Sequence, residues 1–240
     1  MKTELKHTAR AQAAFTRLDL VAVLLVLSLC AAVVLPALAS SRPRSQRVAC
    51  ANNLRQIGSA FQLWGSEHGE KLPFEVATVD GGTALHPLAV NVWLHFSWLS
   101  NELNSAAILL CPSDAGRPAR DFSTDPNGGY LHPNFANAAT SYFLAHGGAN
   151  SPINVISADR NVSYDFSGNC SLFQRSRVID TSRGGSASLA RWTTDLHGFS
   201  GNLLRRDGSV IQAGKDDLAS TVADDGYPAD NGSFHYISPR

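Results

Sequence analysis

FTRLDLVAVLLVLSLCAAVVLPAL, residues 15–38, is the stretch that decides how this chain is built. From Leu20 to Leu38, nineteen residues pass without a charge. As a helix they rise about 28 Å, close to the roughly 30 Å of a bilayer core, so they predict a membrane span. Asp19 and Pro36 are unusual for a simple anchor. A carboxylate at that depth costs on the order of 2.5–3.5 kcal/mol, so we expect Asp19 to have a partner.

The residues before this stretch set its orientation. Residues 1–14, MKTELKHTARAQAA, carry three basic residues and one acidic residue. This positive excess predicts that the N-terminus stays in the cytoplasm and that the chain after Leu38 crosses the membrane. After the apolar run, ALASS is only a weak match to a signal-peptide cleavage site, so any cleavage is expected before the run.

The pattern AFTRLD, residues 14–19, followed by the apolar run resembles the prepilin-type cleavage and methylation motif of type IV pilins and type II secretion pseudopilins. In that family a prepilin peptidase cuts before a Phe, the new amine is methylated, and an acidic fifth residue pairs with the amine of a neighbouring subunit. The resemblance implies cleavage between Ala14 and Phe15, with N-methylation at Phe15. It also implies that Asp19 is the assembly residue and that Pro36 is the proline common at mature position twenty-two.

Three residues depart from the family pattern. Ala14 replaces the usual Gly before the cut, and Asp19 replaces the longer Glu. Arg17 stands where the family has an apolar residue, so it could form a salt bridge with Asp19 and compete for it. The alternative interpretation is an uncleaved single-pass anchor whose Asp19 lies at the membrane interface.

The length of the chain allows one globular domain. We predict a leader at 1–14, a helix at 15–69 with its transmembrane part at 18–38, and an extracytoplasmic α+β domain at 70–240. The 20 Lys and Arg residues equal the 20 Asp and Glu residues in number. This balance does not favour a nucleic-acid-binding surface.

The helix is expected to continue past the membrane as an amphipathic segment. In SSRPRSQR, residues 40–47, Pro43 predicts a kink or a short break. Apolar residues then recur at steps of three and four, which predicts one buried stripe facing a sheet. Gly65 and Gly69 predict the helix end. The stripe consists of Val48, Ala51, Leu54, Ile57, Phe61 and Trp64.

A second resemblance covers the middle and the end of the chain. CANNLRQIGSAFQLWGSEHGEKLP, residues 50–73, closely resembles the segment after the membrane helix in a poorly characterised group of bacterial pseudopilin-like proteins. The CPSD at 111–114 and the spacing of nine residues between His197 and Asp207-Gly208 are signatures of the same group. The resemblance implies a pilin-like α+β fold, in which a long N-terminal helix packs on a small antiparallel sheet.

Several segments predict strands. Residues 106–114 predict a buried strand, and 140–147 and 153–161 predict short strands. The pair Asp207-Gly208 predicts a tight hairpin with both central residues at positive φ. The segment 90–103 predicts a helical or mixed region.

The aromatic residues of 90–103 leave two interpretations open. Trp93, Phe96 and Trp98 are close together in the sequence. Core packing is the default expectation, and a binding platform is the alternative.

Motif searches give little support for catalysis. The sequence has no GxSxG, HExxH, paired CxxC, phosphate loop or dinucleotide fingerprint. We therefore predict no enzyme activity, no catalytic residue and no cofactor, with His197 holding a turn. Acidic residues near the C-terminus are weak calcium candidates, but they do not fit an EF-hand loop, so a solvated acidic surface is the alternative. These candidates are Asp216, Asp217, Asp224 and Asp225.

The cysteines allow at most one disulfide in the extracytoplasmic domain. Cys30 lies in the apolar run, which leaves Cys50, Cys111 and Cys170 on the oxidising side. Their positions do not settle which two pair, and all three could stay reduced. Cys50 and Cys111 lie in segments that recur in the pseudopilin-like group, so the resemblance favours that pair.

The resemblances together predict a membrane-anchored, pilin-like structural subunit. It would be processed by a prepilin peptidase and assemble with other subunits in a type II secretion or type IV pilus-like system. It would lie in the inner membrane as a single-pass protein with a periplasmic domain and would bind no nucleic acid. One alternative is a monomeric membrane-anchored binding module that uses Trp93 to Leu99 and the acidic C-terminal loops. A third class, an anchored hydrolase, has the least support.

Overall fold

A computed structural model describes residues 17–146, 154–163, 177–180, 191–215, 217–218 and 233–239. The chain divides into two compact units, residues 1–42 and residues 43–240. The first element, α1, spans Arg17–Glu67 and has 51 residues. The break predicted at Pro43 is wrong, because α1 continues through it. A proline lacks the backbone N–H donor, so Pro43 costs α1 one hydrogen bond without ending it.

The other elements follow in chain order. Helix α2 spans Val92–Ser97, and shorter 3₁₀ turns span Pro73–Glu75, Thr78–Asp80, Ala106–Leu109 and Ala136–Ala139. The described strands are β1 Tyr142–His146, β2 Val155–Asp159, β3 Val162–Ser163, β4 Arg177–Asp180, β5 Arg191–Trp192, β6 Gly201–Arg205, β7 Val210–Ala213 and β8 Ser233–Ile237.

Six of these strands form one antiparallel sheet. Its order is β4-β8-β1-β2-β6-β7, and every neighbouring pair is antiparallel. A two-stranded sheet, β3-β5, lies apart from it. An N-terminal apolar helix and an antiparallel sheet are both present, so the chain is α+β.

The C-terminal half of α1 buries the predicted stripe, with one exception. Its members from Ala51 to Trp64 are at most 4% exposed, whereas Val48 is 56% exposed. The side chain of Arg47 packs toward the domain instead, because its guanidinium donates hydrogen bonds to the carbonyls of Gly201 and Ala213 at 3.1 and 2.8 Å. Positions four and seven residues beyond Arg47 continue the buried face, so Val48 turns away from the core.

The hairpin between β6 and β7 has a different turn from the predicted one. Gly208 has a positive φ of 82°, but Asp207 is not among the positive-φ residues of the described chain. Gly208 donates its N–H to the carbonyl of Arg205 at 3.0 Å, and Arg205 donates to Ser209 at 2.8 Å. This is a three-residue loop with a left-handed glycine, which needs positive φ at one position only.

The strand predicted at 106–114 is also wrong. Residues Ala106–Leu109 form a 3₁₀ turn, and the Ser105 hydroxyl accepts the Ala107 N–H at its start. The turn still buries Ala106 and Leu109 completely, so its apolar pattern reports burial rather than strand geometry.

We predict that Ile57→Ala lowers the free energy of unfolding by roughly 2–5 kcal/mol, because the fully buried side chain would leave a cavity. Leu63 lies on the same helix and is 54% exposed. Leu63→Ala is therefore the matched control and should change the free energy of unfolding by less than about 0.5 kcal/mol. Denaturant unfolding of the full chain in detergent measures both. Equal losses in the two variants would contradict the assignment of the buried face.

Candidate functional site

The first candidate surface is the N-terminal part of α1. Arg17–Leu35 is long and apolar enough to cross a membrane, and none of it is buried. Leu18 and Leu29 are 80% and 71% exposed. A continuous exposed apolar surface of this kind marks a membrane or protein contact.

Asp19 lies in the first turn of α1, and its side chain is exposed. A carboxylate in a first helical turn is favoured by the helix dipole. Pro36 lies within α1. Ala14 and Phe15, the residues of the predicted cleavage site, lie outside the described part of the chain.

A disulfide joins α1 to the CPSD segment. Cys50 and Cys111 are bonded, their Cα atoms are 5.1 Å apart, and both residues are fully buried. This is the pair that the resemblance favours. Cys30 is free and exposed on α1, and Cys170 lies outside the described residues.

His197 packs against this disulfide. Its Nε2 atom lies 3.4 Å from the Cys111 sulfur and 3.4 Å from Oδ2 of Asp159. Asp159 is fully buried at the end of β2 and accepts hydrogen bonds from the backbone and side-chain N–H groups of Asn202 at 2.7 and 2.8 Å. The Arg47 guanidinium contributes a positive charge that acts on both Asp159 and His197. We name Arg47, Asp159, His197 and Asn202 the polar cluster.

Burial dominates the electrostatics of the polar cluster. It lowers the pKa of His197 from 6.5 to about 4, and the positive charge of Arg47 lowers it further. It raises the pKa of Asp159 from 3.8 to about 7, against the opposing effects of the Asn202 hydrogen bonds and Arg47. His197 is therefore neutral at pH 7, so its 3.4 Å contact with Asp159 is not an ion pair.

The other two signature residues lie at a different place. Gly208 packs on α1, where a Cβ atom would lie 2.9 Å from the Gln62 side chain. On the same face, a Cβ at Gly58 would lie 2.7 Å from Leu204 and 3.3 Å from the Gly208 Cα. Asp207 caps its own turn by accepting the Ser209 N–H at 2.8 Å. His197 and Asp207-Gly208 thus make two separate structural contacts and do not lie together in one site.

Asp114 of the CPSD segment forms a second buried contact. Its carboxylate accepts two hydrogen bonds from Arg160, both at 2.7 Å, and one from Ser141 at 2.7 Å. Burial alone would raise the pKa of Asp114, but these hydrogen bonds hold it below its ordinary value. The CPSD motif therefore ties the segment after the 3₁₀ turn to the ends of β1 and β2.

The metal candidates that lie among the described residues form no ion site. Among the described residues, Cys50, Cys111 and His197 form the one group of possible ligands close enough to share an ion. Because the two sulfurs are joined in a disulfide, they are not thiolate ligands. Asp216, Asp224 and Asp225 lie outside the described residues. Asp217 is exposed and accepts the Gly214 N–H at 3.0 Å.

The aromatic segment divides between core and surface. Phe96 and Leu99 are fully buried, as core packing predicts. Trp93 and Trp98 are only partly buried against that core. Trp98 also lines a groove of about 460 Å³ at the C-terminal end of α1.

No protein-family model, curated protein or solved structure matches this chain. The two family resemblances therefore remain predictions.

Sequence reasoning did not find the polar cluster. Arg47 was grouped with the basic residues after the membrane, and Asp159 ends an otherwise apolar strand. A charged residue inside an apolar pattern is the signal that could have identified Asp159, because such a group needs hydrogen bonds when buried.

We predict that the cost of His197→Gln depends on pH. Because the native-state pKa of His197 is about 4 rather than 6.5, this residue makes the free energy of unfolding rise between those pH values. Asp159, with a raised native-state pKa, makes it fall between about pH 4 and pH 7. Without His197, only the contribution of Asp159 remains, and it decreases as the pH rises. The substitution should therefore lower the free energy of unfolding by on the order of 2 kcal/mol more at pH 7 than at pH 4.

Denaturant unfolding at a series of pH values measures this difference. His132→Gln, a substitution in the surface loop before the last 3₁₀ turn, is the control for a general histidine effect. If the cost of His197→Gln were the same at every pH, burial would not be what sets its pKa.

Proposed function

We propose that this chain is a membrane-anchored pseudopilin or pilin-like structural subunit. It is processed by a prepilin peptidase between Ala14 and Phe15 and assembles through α1 with other subunits, in a type II secretion or type IV pilus-like system. It is held in the inner membrane with its N-terminus in the cytoplasm and its globular domain in the periplasm.

The observation that carries this proposal is the two-part character of α1. Arg17–Leu35 is apolar and exposed on every side, whereas Ala51 to Trp64 buries one stripe in the core of the domain. A helix needs only about 20 apolar residues to anchor a domain. In this chain α1 continues beyond that length and supplies part of the domain core, which is the arrangement expected of a pilin-like subunit.

The position of Asp19 is the second support. It follows the proposed mature N-terminus by four residues and stands at the edge of the apolar surface. In a membrane, an acidic side chain there is costly unless it meets a cationic partner, and the amine of a neighbouring Phe15 is such a partner.

Processing gives the first test of the proposal. We predict that protein extracted from native membranes begins at Phe15 with an N-methyl group, and intact-mass measurement decides this. Ala14→Gly, which restores the family residue, should increase the processed fraction. A chain that still begins at Met1 in both forms would contradict the prepilin assignment.

Assembly gives the second test, with Cys30 as a reporter because it is free and exposed on α1. In a Cys170→Ser background, a bismaleimide should crosslink neighbouring subunits through Cys30. Asp19→Asn should abolish this crosslink while membrane insertion and domain unfolding stay unchanged. Asp19→Glu should keep it, and Arg17→Leu should increase it if Arg17 competes for Asp19.

The controls separate assembly from chance contact. Cys30→Ser must remove the crosslink completely. If Asp19→Asn crosslinks as well as the parent, the assembly proposal fails. The alternative, a monomeric anchored binding module, then becomes the better account, and the partly exposed Trp98 at its groove is the observation that favours it.

A further inference from the structure

The groove at the C-terminal end of α1 has the size of a small-molecule site. Its volume is about 460 Å³, within the range of roughly 300–1,000 Å³ that ligand pockets occupy. The end of α1, the segment after α2 and the loop near Phe122 line it. It lies entirely within the second compact unit, and none of its lining residues belongs to the polar cluster.

The aromatic walls of the groove are held in place. The Trp98 indole N–H donates to the Gly81 carbonyl at 2.8 Å, which fixes the ring orientation. Phe122 packs edge-on against the buried Tyr130 with ring centroids 5.4 Å apart. Such walls offer partly exposed aromatic surface without the entropy cost of ordering it when a ligand binds.

The fixed polar groups of the groove are hydrogen-bond acceptors. The Ser97 hydroxyl donates its proton to the Leu94 carbonyl at 2.6 Å, so its oxygen is left to accept. His68 Nδ1 lies 2.8 Å from the Trp64 carbonyl. Because a carbonyl only accepts, Nδ1 carries the proton in the neutral ring and Nε2 is then an acceptor.

Two carboxylates add to this excess of acceptors. Glu67 and Glu102 line the groove, and its lining contains no Lys or Arg. The Oε2 atom of Glu102 is buried and has no hydrogen-bond partner among the described residues. A buried carboxylate oxygen that lacks a donor is costly, so a ligand that supplies an N–H donor to Glu102 would be favoured.

We propose that this groove binds a small primary amine in its protonated form. A primary ammonium has three donors and no acceptor, which complements a site whose fixed groups accept. Its positive charge is attracted by Glu67 and Glu102 and by the aromatic face of Trp98. Anionic ligands are repelled by the two carboxylates. The inference stands independently of subunit assembly, since none of the groove residues lies on Arg17–Leu35.

Calorimetric titration of the full chain in detergent tests this proposal with three matched probes. Cadaverine carries the primary ammonium groups, its permethylated analogue keeps the charge without N–H donors, and pentanediol keeps the carbon body without charge. We expect cadaverine to bind at least about tenfold more tightly than either analogue. Glucosamine compared with glucose tests whether a polyhydroxylated body can also carry the amine.

Substitutions locate the binding. Glu102→Gln keeps the side-chain shape, removes the charge and adds donors, so it should weaken cadaverine binding at least about tenfold. Glu67→Gln, at an exposed position of α1, should also weaken it and serves if Glu102→Gln fails to fold. Glu70→Gln removes a nearby exposed carboxylate that does not line the groove and should leave binding unchanged.

Each contrary result excludes one part of the proposed recognition of the amine. Equal binding of pentanediol would exclude recognition of charge, and equal binding of the permethylated analogue would exclude recognition of donors. Weakening by Glu70→Gln as large as that by Glu102→Gln would place the effect in the general surface charge. Failure of cadaverine to bind at millimolar concentration would overturn the proposal.

Discussion

The burial of one face of α1 in the core is the constraint on which the domain depends. Leu54, Ile57 and Phe61 are at most 1% exposed, and each contributes about 1.5–3 kcal/mol when removed from water. The sheet supplies the other side of this core through fully buried residues of β1 and β6. Arg17–Leu35, by contrast, is apolar and unburied among the described residues, and an exposed apolar surface of this kind marks a membrane or protein contact.

The polar cluster stands where the buried face of α1 begins. Arg47 satisfies two strand carbonyls, and Cys50, beside the first buried residue of the stripe, is covalently bonded to the CPSD segment. Burying Asp159 here is unfavourable for its charge, as its raised pKa shows. Groups of this kind add little net stability, but breaking one contact leaves the others unsatisfied. The cluster therefore specifies how α1 meets β2 and β6 rather than supplying the main stabilisation.

The sequence predicted the parts of the fold that follow from local periodicity. The stripe from Ala51 to Trp64, the strands at β1 and β2, and the hairpin at Gly208 all have a local pattern. Strands β4 and β8 were not predicted, because each gains its place by pairing with a strand distant in sequence. The groove was missed for a related reason, since α1, α2 and the Phe122 loop meet only after folding.

The spacing of the His197 signature follows from the geometry of α1 and β6. Arg47 bonds to the start of β6 at Gly201, and Gly58 meets its end at Leu204 and the turn at Gly208. From Arg47 to Gly58 a helix rises about 16 Å, and the five residues of β6 extend about 14 Å before the turn adds its own length. The strand and the helix thus advance together, with His197 fixed at the disulfide and Gly208 fixed against the helix. Ten residues, 198–207, fill the span between His197 and Gly208, so their spacing in this chain reflects packing and needs no shared chemistry between them.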